Sequence, residues 1–183
     1  MKVLGFDPSL SNWGIVVANL DLESLDFEIE KMLLVETKPG KNKRVRKNSD
    51  DLERAQAICD AISEQLEDVS MVFVEVPHGS QSARAMASYG ICIGILSAID
   101  IPMIQLTERE LKQATVGKNT ASKTEMIEWA VEKYPEAKWL KRGNSFVAKN
   151  EHLADATGAI YAGVRSDEFA NVLAALRYIK KAS

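Results

Sequence analysis

The stretch Lys2–Ala18, KVLGFDPSLSNWGIVVA, contains two runs of β-favouring residues on either side of a short polar turn. The runs Val3–Phe6 and Trp13–Val17 predict a β-hairpin. Asp7 ends the first run, and Pro8 after it stops the ladder of backbone hydrogen bonds. A carboxylate at the end of a buried strand costs free energy unless a cation or a hydrogen-bond donor meets it. Asp7 therefore either caps its own turn or belongs to a polar site shared with residues further along the chain.

The length and composition of the chain are those of a soluble globular domain. It has 183 residues, of which 46% are hydrophobic and 27% charged, so it can bury a sizeable core. The N-terminus carries no basic-then-apolar signal, and the longest apolar run, Gly90–Ile99, is too short to span a bilayer. Cys59 and Cys92 fall in helix-like apolar patterns and are expected to be reduced core residues. We therefore expect a single cytoplasmic domain over residues 1–183.

The net charge of −3 argues by itself against a nucleic-acid partner, but the distribution of charge favours one. The segment Lys38–Lys47, KPGKNKRVRK, holds six basic residues and no acid, which leaves a charge of −9 on the rest of the chain. A concentrated basic loop on an acidic body suits contact with a phosphate backbone. A charge run alone is also compatible with a solvated, disordered loop.

The remaining pattern predicts an α/β layer with a mixed sheet. Beyond the hairpin, we expect strands over Phe27–Glu36, Ser70–Val76 and Pro102–Leu106. Helices are expected from Asn48 or Ser49 to about Leu66, over Ala83–Ile99, after capping boxes at Thr107 and Ser122, from Asn150 to about Val164, and from Asp167 to about residue 181.

Apolar spacing predicts which faces of three helices are packed. The helix beginning near Asn48 should turn inward Leu52, Ala55, Ile58, Cys59, Ile62 and Leu66, and the last helix Phe169, Val172, Leu173, Leu176 and Ile179. The helix between them has a face of small residues: Ala83, Ala87, Gly90, Gly94 and Ala98. Each interior Gly costs about 1 kcal/mol relative to Ala, so something is expected to pack closely there. That neighbour is either the sheet or a symmetry-related copy of the helix.

Three further polar residues are candidates to meet Asp7. Glu75 lies near the end of a strand that we expect beside the first one. On the helix that begins at Asn150, His152 and Asp155 are three residues apart and share a face. Three carboxylates at one place repel each other unless cations are bound, so a pair of divalent metal ions would suit them. The alternatives are that Glu75 and Asp155 are ion-paired, and that His152 only begins a helix while Glu151 reaches the metal ions in its place.

Four segments resemble, in order, the conserved segments of the RuvC-type Holliday-junction resolvases: GFDPSLSNWGIVV, VFVEVPHGSQSARAMASYG, ERELKQATVGKNTASKTEM and NEHLADATGAIYAG. The resemblance extends from about Lys2 to Gly163 and leaves the last helix outside. It implies a ribonuclease-H-like fold, α/β with a mixed five-stranded sheet and helices on both faces. It also implies a homodimer, two Mg²⁺ or Mn²⁺ ions per active site, and paired phosphodiester hydrolysis in four-way DNA junctions during recombination and repair.

The resemblance assigns metal-binding and catalytic roles to Asp7, Glu75, His152 and Asp155; some family members have Asp at the position of His152, and others His. It places two lysines near the scissile backbone, with Lys112 holding the DNA and Lys123 stabilising developing charge. We expect further DNA contacts from Lys118, His78, Lys41, Lys43, Arg44, Arg46 and Lys47.

The chain departs from the family pattern at Ser9, Trp13 and His78, where the family usually has Gly, Thr and an aromatic residue. These changes spare the metal ligands but bear on cleavage-sequence preference and on selectivity for four-way junctions over other branched DNA. They would suit a virus-encoded or mobile-element member that acts in the host cytoplasm.

Two other functions remain open from the sequence. One is a junction-binding protein with weakened catalysis, which Ser9 and His78 make conceivable. The other is a fragment of an actin-like or sugar-kinase-type ATPase, a class that shares this fold. It is disfavoured because the chain is too short for two such lobes and has no second Gly-rich phosphate turn.

Overall fold

The centre of the molecule is a five-stranded mixed sheet. The computed structural model describes residues 1–40, 46–77, 79 and 81–182, with side chains described as far as residue 179. The strands are β1 (Lys2–Asp7), β2 (Asn12–Leu20), β3 (Phe27–Glu36), β4 (Met71–Glu75) and β5 (Met103–Leu106). Their order across the sheet is β3-β2-β1-β4-β5. The strand β2 runs antiparallel to both of its neighbours, β1 and β3, whereas β1, β4 and β5 are parallel. The predicted hairpin and mixed sheet are confirmed.

Six helices complete the described part of the fold: α1 (Lys47–Ser63), α2 (Ala83–Ser97), α3 (Glu108–Thr115), α4 (Lys123–Lys133), α5 (Asn150–Gly163) and α6 (Asp167–Ala182). The capping boxes predicted at Thr107 and Ser122 are present at the starts of α3 and α4. None of the helices in the described residues is both long and apolar enough to cross a membrane.

Strand alternation divides the core into two layers. In β1, Val3 faces the layer formed with α5, whereas Leu4 and Phe6 face the layer formed with α1 and α2. The first layer contains the buried residues of α3, α4, α5 and the start of α6. The second contains Ile58 of α1 and Cys92 of α2. The expectation of helices on both faces of the sheet is confirmed, and so is the burial of Cys92.

The predicted inner face of α1 is wrong at one position. Leu52 is 67% exposed, whereas Asp51 and Arg54 are each only 6% exposed. Arg54 donates to the main-chain oxygen of Leu10 and to the side chains of Ser11 and Thr37, so it occupies the inward position that apolar spacing gave to Leu52. The helix also begins at Lys47, and Arg46 at its N-cap makes no side-chain capping bond.

The last helix packs along only part of its length. Phe169 and Leu173 are buried as predicted, but Leu176 is 42% and Ile179 61% exposed. The prediction that these two face inward is therefore wrong. Both exposed residues lie beyond Leu173, which is the last residue of this helix in the buried layer that includes α5.

The small-residue face of α2 is exposed on this chain. A Cβ atom built on Gly90 or Gly94 would meet no other atom within 4 Å. Packing against the chain's own core is therefore not the reason for these glycines. The expectation that the sheet packs closely against these glycines is wrong, and contact with a second copy of the helix stays a prediction.

A small second sheet was missed by the sequence interpretation. The strands β6 (Lys141–Arg142) and β7 (Ser145–Phe146) form a hairpin just before α5. Runs of two residues are too short to produce a periodic signal, and Gly143-Asn144 was the only turn signal available.

Candidate active site

Two acidic residues lie side by side where parallel strands end. Phe6 of β1 pairs in register with Val74 of β4, so the next residues, Asp7 and Glu75, are neighbours at the same edge of the sheet. This is the arrangement that the sequence predicted for the two strands. The carboxyl ends of parallel strands in such sheets are the common location of ligand sites.

Helix α5 approaches this edge unusually closely because two strand residues lack side chains. A Cβ atom on Gly5 would lie 2.1 Å from the main-chain oxygen of Ala156, and one on Gly14 would lie 2.2 Å from that of His152. Both obstacles are backbone atoms, which cannot move aside without shifting the helix. The two glycines therefore set the distance from the sheet at which α5 presents His152 and Asp155. Sequence reasoning missed this role, although both glycines lie inside runs of β-favouring residues, where Gly indicates close approach of another backbone.

A chain of polar contacts leads from the sheet to α4. His152 Nδ1 lies 2.7 Å from Asp7 Oδ2, and its Nε2 lies 3.4 Å from an oxygen of Glu151. The other oxygen of Glu151 is 2.7 Å from Lys123 Nζ. The structure thus brings Lys123 to the site through Glu151, a residue to which the sequence interpretation gave only a competing role.

The three carboxylates are held in an environment that opposes their ionisation. Burial raises the pKa of Glu75 to about 8, and the charges of Asp7 and Glu108 add to this effect. Burial also raises the pKa of Asp155 well above its ordinary range, with further contributions from Asp7 and Glu75. The pKa of Asp7 is raised by burial despite its contact with His152. The ion-paired alternative for Glu75 and Asp155 is wrong for the described residues, because no Lys or Arg among them lies within ion-pair distance of either carboxylate.

Lys112 lies near this cluster without contacting it. Its Nζ forms an ion pair with Glu108 at 2.5 Å, and its charge lowers the pKa of Glu75 and of Asp155. Lys118 instead forms an ion pair with Glu125 on α4, and its side chain is about half exposed. The structure therefore brings Lys112 to the acidic cluster and leaves Lys118 on the neighbouring surface.

The donor set suits divalent cations in chemical type. Carboxylate oxygens are the ligands that Mg²⁺ and Mn²⁺ prefer, and an imidazole is well accepted by Mn²⁺. The mutual repulsion of three buried carboxylates is relieved when positive charge is added. Within the described residues, however, no three His, Cys, Asp or Glu side chains are grouped tightly enough to hold an ion together. His152 Nδ1 is instead in contact with Asp7.

Several predicted DNA contacts fall where the structure gives no description. Lys41, Lys43, Arg44 and His78 lie outside the described residues, so their assignments stay predictions. The flanking residues of the basic loop, Arg46 and Lys47, are exposed at the start of α1.

The departure at Trp13 has a structural explanation. Its side chain is fully buried and packs edge-on against Phe6, with ring centroids 5.9 Å apart, in the layer on the α1 and α2 side. Since Asp7 and α5 lie on the opposite side of the sheet, the larger side chain does not enter the acidic cluster. Its indole N–H has no hydrogen-bond partner among the described residues, at a cost of roughly 1–3 kcal/mol.

Solved structures with the same fold are Holliday-junction resolvases. A Thermus thermophilus RuvC in complex with a Holliday-junction substrate aligns with a TM-score of 0.64 and 20% identity, over 88% of this chain and 92% of that one. A second Thermus thermophilus RuvC structure gives 0.63 and 22% over the same shares. The fowlpox virus resolvase with its substrate Holliday-junction DNA gives 0.54 and 14%, over 90% of this chain and 95% of that one. No family model matches the chain. No curated protein matches it in sequence.

These likenesses establish the fold. The chain has the RuvC-type, ribonuclease-H-like fold that the four sequence segments implied. The shared region extends over 88% or more of each chain compared.

Proposed function

We propose that the chain is a divalent-metal-dependent endonuclease that cuts four-way DNA junctions. One observation carries the proposal: Asp7, Glu75 and Asp155 lie near one another at one end of the sheet, with their ionisation opposed by burial and, for Glu75 and Asp155, by neighbouring carboxylates. A protein maintains such an arrangement at a cost, and bound cations would remove that cost. The fold shared with RuvC and the fowlpox resolvase supports phosphodiester hydrolysis as the chemistry.

Asp7, Glu75, Asp155 and His152 would hold the metal ions. When bound, divalent ions would supply an activated water molecule and neutralise charge on the phosphate. Binding would replace the contact between His152 and Asp7, because the same atoms serve as ligands. The choice between Mg²⁺ and Mn²⁺, and the binding of two ions instead of one, are parts of the proposal that titration would decide.

The surrounding residues would act on the DNA. Lys123 is held by Glu151 next to His152, and its positive charge partly offsets the effect of burial on the pKa of Asp7. It would stabilise the negative charge that develops on the scissile phosphate. Lys112, paired with Glu108 near Glu75, would hold the backbone alongside.

Four-way junctions are the proposed substrate because two of the structures that share this fold contain them. Paired cuts in such a junction require two active sites related by a two-fold axis. The proposed function therefore includes a homodimer acting in the compartment that holds the DNA. Other branched DNA would be cut where its geometry presents a backbone to the same site.

Helix α2 is the proposed dimer contact. Its small residues leave open space at Gly90 and Gly94, and Ile93 on the same helix is 47% exposed. A groove of about 550 Å³ between α1 and α2 is lined by Ala87, Gly94 and Ala98. An identical helix could approach closely across these residues. Ile93→Asp should then shift sedimentation to the monomer, and a variant that remains dimeric would exclude this contact.

The test is cleavage of a labelled four-way junction with Mg²⁺ or Mn²⁺, with EDTA and a linear duplex of the same sequence as controls. The proposal expects metal-dependent paired nicks in the junction and little cutting of the duplex. Tight junction binding without cleavage at any metal concentration would support the junction-binding alternative. A protein that neither binds nor cuts the junction would refute the proposed function. ATP hydrolysis in the same preparation would favour the ATPase alternative.

A further inference from the structure

The β6–β7 hairpin is an exposed element with no core of its own. All six residues from Lys141 to Phe146 are exposed, and each strand is only two residues long. Isolated hairpins are marginal in water even when their strands are longer. Something outside the hairpin must therefore hold it in place.

Two buried polar side chains supply that support. Asn150 is fully buried, and its side-chain amide both donates to the main-chain oxygen of Leu140, at 2.8 Å, and accepts from its N–H, at 2.9 Å. Trp139 is 6% exposed and donates its indole N–H to the main-chain oxygen of Tyr134 at 2.9 Å. A buried amide used in this way rigidly fixes the base of the hairpin to the first turn of α5. The hairpin is thus held in place although all of its own residues are exposed.

The hairpin presents two basic side chains that no acid neutralises. Lys141 and Arg142 form no ion pair with any described carboxylate, whereas the nearby Lys123 and Lys149 are paired with Glu151 and Glu36. Lys141 Nζ lies 4.9 Å from the ring centroid of Phe146, which restricts its position. Gly143, with φ of +62°, occupies the first turn position and allows the tight reversal that places Arg142 at the tip.

The hairpin is located at the same end of the sheet as the carboxylates. Asn150 precedes His152 by two residues on α5, and His152 contacts Asp7. Lys149 pairs with Glu36, which ends β3 opposite Asn12, the first residue of β2. With about 3.3 Å per extended residue, the turn lies roughly 10 Å beyond Leu140. The contacts of Asn150 with Leu140 thus attach the base of the hairpin to the helix turn that carries His152.

We infer that the β6–β7 hairpin grips the phosphate backbone of the DNA arm next to the cut, through Lys141 and Arg142, with Phe146 positioning Lys141. The inference rests on the proposed nuclease function and adds the surface that holds one arm. Uncompensated cations on a rigid support suit a phosphate backbone, since binding releases counterions without a large cost in ordering the protein.

The experiment measures junction affinity against salt for the full chain carrying K141A/R142A. The matched control is K2A/K133A, which also removes two basic residues, but from the opposite end of the sheet, where Lys2 pairs with Asn19 and Lys133 lies beside Phe27. The hairpin variant should lower the log–log salt slope by about 2, because each lost phosphate contact removes about 0.9. Its Kd should rise about tenfold or more, whereas the control keeps the slope of the native protein. Phe146→Leu should weaken binding in the same direction by less.

Each outcome separates this inference from the proposed function. If the native protein binds and cuts junctions but K141A/R142A has an unchanged salt slope, the hairpin inference is wrong and the nuclease stands. If the hairpin variant and the control lose affinity equally, net charge is responsible and the hairpin has no special contact. If the native protein neither binds nor cuts, the proposed function itself fails.

Discussion

Two clusters of buried charge in this molecule differ in how their charge is balanced. In the arginine cluster, Asp51 on α1 forms ion pairs with Arg54 on the same helix and with Arg84 on α2. In the acidic cluster, Asp7, Glu75 and Asp155 lie near one another at the end of the sheet, and no described Lys or Arg forms an ion pair with any of them. The buried carboxylate of the arginine cluster has two arginine partners, whereas the carboxylates of the acidic cluster have no such partner among the described residues.

The pKa shifts of the two clusters have opposite signs. The hydrogen bond from Arg84 lowers the pKa of Asp51, so this carboxylate is ionised and stabilising at neutral pH. Burial raises the pKa of Glu75 and Asp155, so their ionisation opposes folding. A buried carboxylate with cationic partners stabilises the structure. A group of buried carboxylates without such partners is typical of a functional site that binds a ligand.

The arginine cluster also supports the acidic one. Arg54 bonds Leu10 and Ser11, which belong to the turn that directly follows Asp7 and Pro8. It also bonds Thr37, where β3 ends and the basic loop begins. The arginine cluster thus holds the turn that follows Asp7, and the two clusters have separable roles that substitutions can test.

The largest expected effect is that of Asp7→Asn on cleavage. Loss of a metal ligand should slow junction cutting by about 10³-fold or more, equivalent to about 4 kcal/mol of transition-state stabilisation. Junction binding should be unchanged or tighter, because one negative charge facing the DNA is removed. The free energy of unfolding without metal should not fall, since a buried charge disappears. Cleavage kinetics, anisotropy titration and urea unfolding measure the rate, the junction affinity and the free energy of unfolding. Cutting near the native rate would show that Asp7 is not a metal ligand.

Substitutions in the arginine cluster should lower the stability of the fold instead of the cleavage rate. Asp51→Asn leaves Arg54 buried beside a neutral group, and the free energy of unfolding should fall by about 3 kcal/mol. Arg84→Ala should cost less than 1 kcal/mol, because the Arg84 side chain is 41% exposed. Urea unfolding of both variants checks the ranking. Equal losses, or a greater loss from Arg84→Ala, would show that the cluster does not behave as a buried pair.

Gly14→Ala tests the spacing of the acidic cluster alone. The added methyl group would meet the main-chain oxygen of His152, so the first turn of α5 must move away from β2. A displacement of about 1 Å at the ligands should slow cleavage by about 100-fold. The arginine cluster does not contact α5, and near-native unfolding cooperativity is expected. Unchanged cleavage in this variant would mean that the approach of α5 has no bearing on the chemistry.

The sequence predicted most of the fold because its signals were local and mutually consistent. The two runs around Asp7 indicated the hairpin, and the capping boxes at Thr107 and Ser122 marked helix starts that the structure confirms. The convergence of Asp7 and Glu75 followed from placing two strand ends side by side. Periodicity and turn chemistry suffice for such features, since each depends on residues close in the chain.

The errors came from contacts between residues far apart in the chain. Leu52 was expected in the core, but Arg54 takes the inward position because Leu10, Ser11 and Thr37 offer it acceptors. Leu176 and Ile179 keep the apolar spacing of α6 beyond the point where the core ends. Glu151 was given only a competing role because its partner Lys123 is on another helix. No local pattern contains these partners.

Measuring stability against pH tests whether ionisation of the acidic cluster destabilises the fold. Glu75 has an ordinary pKa near 4.5 and a folded pKa of about 8, raised by burial, Asp7 and Glu108, with Lys112 opposing. Without metal, its contribution to stability is therefore complete below pH 4.5 and lost as the pH rises to about 8. We expect a loss of about 2 kcal/mol, less than the full shift implies because water reaches the side chain.

Thermal unfolding in EDTA from pH 5 to 8 measures this loss, with Mg²⁺ or Mn²⁺ expected to reverse it by favouring the ionised carboxylates. Glu75→Gln should flatten the EDTA profile. An unfolding temperature that rises with pH in EDTA would contradict the view that the acidic cluster lacks compensating positive charge. Glu75 would then be more easily ionised in the folded state than in the unfolded one.

The smallest effect is expected at His152, where a conservative exchange should change metal preference more than rate. His152 lies 2.7 Å from Asp7 and contributes no negative charge as a neutral imidazole. His152→Asp adds a fourth carboxylate, so the site becomes richer in the oxygen ligands that Mg²⁺ requires and loses the nitrogen that suits Mn²⁺. Cleavage at saturating Mg²⁺ should stay within about tenfold of the native rate, with the ratio of Mg²⁺ to Mn²⁺ activity increased.

The matched variants are His152→Ala and Glu151→Gln, which distinguish the imidazole from its neighbour. His152→Ala should be strongly impaired with either metal, because it removes both a ligand and the contact that orients Asp7. Glu151→Gln keeps the shape of the link to Lys123 and removes its charge, so a moderate loss is expected. If His152→Ala cut at the native rate while Glu151→Gln was inactive, Glu151 would be the ligand. His152 would then only begin the helix, and the acidic cluster would contain four carboxylates, which would sharpen its contrast with the arginine cluster.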